Sequence, residues 1–140
     1  MNLKLSVLFI FLFLLGAGPS ADRPYVKIGP HVFFVEVART PQQWQKGLMF
    51  RTKMAPNEGL LFFGKRAKHQ SFWMKNTPLS LDIIFIGKNN RIVHIAENTT
   101  PFSLKKIPSK KRALHILEVL AGRAKALQLN AGDLVKIHIK

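Results

Sequence analysis

Ser71-Phe72-Trp73-Met74-Lys75-Asn76-Thr77-Pro78-Leu79-Ser80-Leu81-Asp82-Ile83-Ile84-Phe85-Ile86 is the stretch on which the fold of this chain turns. An aromatic run is broken at Asn76-Thr77-Pro78, since proline steers its predecessor away from helix and Asn and Thr favour turns. An apolar, β-branched run then resumes, and such residues suit a pleated, half-buried surface. Asp82 sits inside that second run. A carboxylate among Leu and Ile is costly to bury unless it is paired or hydrogen-bonded. Asp82 is therefore either a structural anchor or part of a site.

Working outward, residues 81–86 and 91–97 flank Gly87-Lys88-Asn89-Asn90 and read as a β-hairpin. Ile83 and Phe85 share one face while Asp82, Ile84 and Ile86 share the other, so both faces should be partly buried. Two short strands at residues 24–30 and 32–38 turn at Gly29-Pro30-His31, with Glu36 directed to solvent. Thr40-Pro41-Gln42-Gln43 opens a short helix with a capping box, carrying Trp44 and ending at Lys46 before Gly47. Further strands are expected at residues 60–64, 71–75, 113–119 and 134–139, a helix at 121–129, and loops at 65–70 and 105–112. The sum is a mainly-β domain over residues 22–140, a compact antiparallel sandwich or partly open barrel with two short helices.

The amino terminus does not belong to that core. Lys4, an apolar stretch over residues 5–15 and the small residues Gly16-Ala17-Gly18-Pro19-Ser20-Ala21 have the build of a cleaved signal peptide. The apolar stretch is shorter than the roughly 20 residues of a spanning helix. A periplasmic or extracellular location is expected. The chain contains no cysteine, which excludes disulfides, catalytic thiolates and zinc–thiolate sites. A formal net charge of +15 points to polyanionic partners. For an exported chain these are an anionic polymer, a lipid surface or an envelope protein rather than nucleic acid. Lys105, Lys106, Lys110, Lys111 and Arg112 form the densest basic patch.

A family signature runs through Gly47-Leu48-Met49-Phe50-Arg51, Gly59-Leu60-Leu61-Phe62, the Ser71–Thr77 block with Pro78, Leu81 and Asp82, then Leu117-Glu118-Val119 with Gly122, and Gly132-Asp133. In order and spacing it resembles the prokaryotic family called domain of unknown function 192. The resemblance spans the mature chain and implies a compact mainly-β domain, frequently exported, without an established activity. This chain has Leu60 where the family commonly has methionine.

Candidate chemistry is sparse. Asp82, with Arg51 or Lys75 as partner, could anchor a loop, or serve as a general base with a raised pKa. Two-carboxylate catalysis needs a second acid, for which Glu58, Glu97 and Glu118 are available, Glu118 being a named candidate beside Asp82. Arg51, Trp73, Lys75, Asn76 and Asp82 form a candidate ligand site. Met49 and Met74, with Met54, Trp73 and scattered histidines, admit a Cu(I) reading, but no ligand-spaced pair supports it and core packing accounts for them. No cofactor motif is present. The expectation is a non-catalytic envelope binding module for an anionic or small ligand or protein partner. A small carboxylate-dependent hydrolase or transferase is the alternative, and a copper-binding protein the third.

Overall fold

The expected hairpins and capped helix anchor a curled sheet. In the computed structural model, which describes residues 22–140, the order is β1 (Tyr25–Ile28), β2 (His31–Ala38), α1 (Pro41–Lys46), β3 (Glu58–Phe62), β4 (Lys68–Phe72), β5 (Leu81–Ile86), β6 (Ile92–Ala96), β7 (Ile107–Ala113), β8 (His115–Leu120), α2 (Arg123–Ala126) and β9 (Val135–His138). The signal peptide expected over residues 1–21 lies outside the described residues. Seven strands form one sheet in the order β6-β5-β8-β3-β2-β1-β9, and β4 with β7 forms a separate two-stranded ribbon.

The sheet curls until its two edges touch. Arg91, just before β6, bridges to Leu134, just before β9, and the Ile92 amide donates to the Asp133 carbonyl at 3.0 Å. The mainly-β, partly open barrel with two short helices is therefore the observed architecture. Its pairs are antiparallel except β2 with β3, which run parallel. That pair is joined by a crossover carrying α1, as parallel neighbours require.

Two apolar clusters result. One is enclosed by the curl, combining Val26, Phe33, Leu61, Ile84, Leu117 and Val135 with Ala124 and Leu129 from the α2 segment. The other lies on the opposite face of β3, β5 and β8, where Phe62, Leu81, Ile83, Phe85 and Ile116 are covered from the α1 and ribbon side. All six residues of β5 are buried, so the central strand is more deeply enclosed than its alternation suggests. Both clusters are closed by residues of the described strands, helices and their connections. Among the described residues no helix is long and apolar enough to cross a membrane.

Local signals hold where the interactions are local. Thr40 Oγ1 accepts from the Gln43 amide at 3.2 Å, Gln43 Oε1 accepts from the Thr40 amide at 3.0 Å, and Gly47 ends the helix at φ +49°. The β1–β2 and β5–β6 hairpins form as expected.

Three assignments are corrected. Residues 105–112 are not a loop, because Ile107–Ala113 is strand β7. Its Ser109 and Ala113 face inward while Lys110, Lys111 and Arg112 face water, so a one-sided ribbon accepts a basic sequence. The partner strand is Lys68–Phe72 rather than residues 71–75, shifted by a bulge between His69 and Ser71. The final helix shrinks from residues 121–129 to Arg123–Ala126, entered through Gly122 at φ +86° and followed by Gln128 at φ +54°.

Candidate functional site

Asp82 and Glu118 start from similar sequence surroundings and end in opposite ones. Both are acids inside apolar strands of one sheet, and β5 pairs with β8 so that Asp82 faces Val119 and Ile83 faces Glu118. Side chains alternate across a strand, so the two carboxyls point to opposite faces. They cannot act together on one substrate, so this pair does not supply the geometry that a two-carboxylate hydrolase or transferase requires.

Asp82 is fully buried. Its Oδ1 accepts the Asn98 amide and its Oδ2 the Ala124 amide, both at 2.9 Å. The second bond satisfies an early amide of α2, whose own Gly122 provides no side-chain cap. Asp82 thus caps a helix that lies 42 residues later in the chain. The expected partners are elsewhere. Arg51 pairs with Glu36 at 2.5 Å, and Lys75 Nζ stands 5.1 Å from the centre of the Trp73 ring.

Glu118 lies on the ribbon side of the sheet and is only 5% exposed. Among the described residues no hydrogen bond reaches its carboxyl, and burial pushes its pKa up to about 8. It lines a cavity of about 290 Å³ with Trp44, Phe62, Phe72, Trp73, Met74 and Gln70. The aromatic wall is ordered by edge-on packing. Phe62 meets Trp44 at 5.2 Å and 70°, and Phe72 at 5.1 Å and 79°, the T-shaped geometry that ring quadrupoles favour. Lys46 and Lys75, both exposed, also contribute to the lining.

The expected ligand set is divided by this arrangement. Trp73 and Lys75 belong to the cavity, Asp82 is sealed on the far face, and Arg51 lines neighbouring clefts. Asn76 contributes backbone instead: at φ +52° its carbonyl accepts from the Phe50 amide at 2.7 Å. Met49 and Met74 both line the cavity. Met74 is a core residue, and among the described residues no group of three or more His, Asp or Glu could hold a metal ion. Trp44, Phe72 and Gln70 were not read as site residues. The one available signal was a tryptophan on a helix too short to bury it.

The basic patch is also divided. Lys105, Lys106 and Lys110 line one groove of about 400 Å³ with His94. Arg112 donates to the Ala67 carbonyl at 2.6 Å and, with Lys111, lies outside that groove. Burial, reinforced by the Lys110 charge, lowers the His94 pKa.

The family profile of domain of unknown function 192, described as uncharacterised ACR, matches residues 25–137. The chain belongs to this family. A crystal structure of a protein of unknown function from Novosphingobium aromaticivorans DSM 12444 is 39% identical, with a TM-score of 0.77 over 81% of this chain and 83% of that one. A crystal structure from Sinorhizobium meliloti 1021, of a protein provisionally described as a transcription regulator, is 36% identical, with a TM-score of 0.77 over 83% of this chain and 92% of that one. No curated protein matches the chain.

Proposed function

We propose that this member of the domain of unknown function 192 family is a non-catalytic binding module that holds a small, partly aromatic molecule in the Glu118 cavity. The observation that carries the reading is a buried carboxyl without a protein partner, opening into an aromatic-walled space. A carboxyl that lines a cavity and has no hydrogen bond from the described residues is open to one from a ligand. Near neutral pH the carboxyl is mostly protonated, so it can both donate to and accept from a ligand. The cavity, at about 290 Å³, stands at the small end of ligand pockets. Among the described residues, the two helices, of six and four residues, supply no recognition helix of the kind that reads a major groove, which favours a small ligand over sequence-specific DNA. Work outside the cytoplasm follows from the leader-like residues 1–21, and amino-terminal sequencing of protein from an envelope fraction tests it.

A thermal-shift screen of small aromatic compounds on residues 22–140 tests the binding role. A ligand at about 100 times its Kd adds about 2.7 kcal/mol to the folded state. Compounds that stabilise the parent should lose their effect in Glu118→Leu, which removes both donor and acceptor, and in Trp73→Ala. Stabilisation that survives both substitutions places the ligand elsewhere and refutes the proposal.

A further inference from the structure

Three connections meet at one end of the domain, and backbone hydrogen bonds join them. The Phe50 amide donates to the Asn76 carbonyl at 2.7 Å, the Met74 amide to Ser103 at 2.9 Å, and the Phe102 amide to Thr77 at 3.1 Å. The joined loops display large apolar side chains to water: Phe50 is 70% exposed, Leu104 65%, Phe102 62% and Trp73 47%. Phe50 and Phe102 also hold left-handed backbone, at φ +64° and +63°. That conformation is an outlier for bulky residues and is stored where the surrounding structure enforces it. Neither ring gains core burial in return.

Charge separates this tip from a generic apolar patch. The same three connections carry Arg51, Lys53, Lys75, Lys105 and Lys106, and their acidic complement is Glu97 alone. Arg51 is already paired with Glu36, which leaves four exposed lysines around the aromatic residues. Aromatic side chains at the headgroup level and lysines facing anionic lipid are the two components of interfacial membrane attachment.

We propose that this end docks on an anionic bilayer, with Phe50, Trp73, Phe102 and Leu104 entering the headgroup–acyl boundary and the lysines meeting lipid phosphates. A soluble acidic protein would match the charge, but it would not require two phenylalanines held outward in strained backbone. Trp73 and Lys75 also line the Glu118 cavity, whereas Phe50, Phe102, Leu104, Lys53, Lys105 and Lys106 do not, and the substitutions that probe docking below are confined to the latter group.

The test is vesicle co-sedimentation of residues 22–140, with phosphatidylcholine alone and with added phosphatidylglycerol, at low and high salt. Trp73 emission is read in a Trp44→Phe background. The parent should partition onto phosphatidylglycerol vesicles with a blue shift of Trp73. Phe50→Asn with Phe102→Asn should weaken partitioning by about tenfold per ring, as expected for interfacial burial of each phenylalanine. Asparagine tolerates left-handed backbone, so this variant should melt at or above the parent temperature. Lys105→Gln with Lys106→Gln, which leaves every apolar contact in place, should selectively weaken binding to phosphatidylglycerol. Failure of the parent to bind anionic vesicles overturns the proposal. So does unchanged partitioning of the Phe variant, or binding that high salt abolishes without any Trp73 shift.

Discussion

Glu118→Gln provides the most direct test of the cavity, because glutamine imitates the protonated acid in size and shape. Burial raises this carboxyl from its ordinary 4.5 to about 8. Between those values the folded chain holds a proton that the unfolded chain has released. Stability is therefore highest below about 4.5, declines as pH rises towards 8, and is level above it. At about 1.36 kcal/mol per pH unit, the full interval amounts to roughly 5 kcal/mol. The variant has no such group, so it should match the parent near pH 4.5 and exceed it increasingly up to about pH 8. With a urea slope of about 1–2 kcal/mol per molar, the midpoints would separate by roughly 3 M at the alkaline end. Urea titrations of both proteins from about pH 5 to about pH 9, followed by tryptophan emission, measure the difference directly. His94 and His115, whose pKa values are lowered, contribute with the opposite sign at lower pH and cancel between the proteins. A difference that is flat with pH would refute the buried-acid account, as would a variant less stable than the parent at alkaline pH. The expected result would mean that the domain carries an acid which weakens it near neutrality, as functional sites commonly do.

Three further outcomes follow from the same geometry. Asp82→Ala removes the acceptor of the part-buried Asn98 amide and the buried Ala124 amide, both at 2.9 Å, and at about 1–3 kcal/mol per bond left unmade it should lower stability by roughly 2–6 kcal/mol; a loss below about 1 kcal/mol would show that Asp82 does not hold the α2 segment. His115 Nδ1 accepts the Gly64 amide at 3.1 Å and burial lowers its pKa below 6.5, so nitrogen NMR should find the neutral Nε2–H tautomer near pH 6.5, and a cationic ring there would contradict this assignment. Replacing Lys105 and Lys110 with Gln should reduce salt-sensitive retention on an anionic polymer more than replacing Lys111 and Arg112 with Gln, because only the first two line the shared groove; equal effects of these two pairs, which remove the same charge, would show that net charge alone governs retention.

How much of this was legible depended on the distance over which each interaction acts. The α1 boundary could be read from Thr40, Gln43 and Gly47 because its hydrogen bonds close within a few residues. The hairpin around Gly87–Asn90 was legible for the same reason, with Asn90 taking φ +56° in the turn. Strand β7 was not legible. Its Lys110-Lys111-Arg112 segment resembles a solvated loop until β4 lies beside it and Ser109 bonds to the Gln70 amide, 39 residues distant. The helix expected over residues 121–129 was shortened because the chain must turn out of α2 through Gln128 and pass into β9.

By itself the sequence determined a mainly-β family, its turns, its helix cap, its thiol-free chemistry and its strong positive charge. Tertiary structure alone decided what each buried acid does. Asp82 and Glu118 have comparable neighbours along the chain, yet one meets two amides and the other meets none. A carboxylate's state depends on the donors and solvent within a few ångströms, and in this domain those donors arrive from distant parts of the chain.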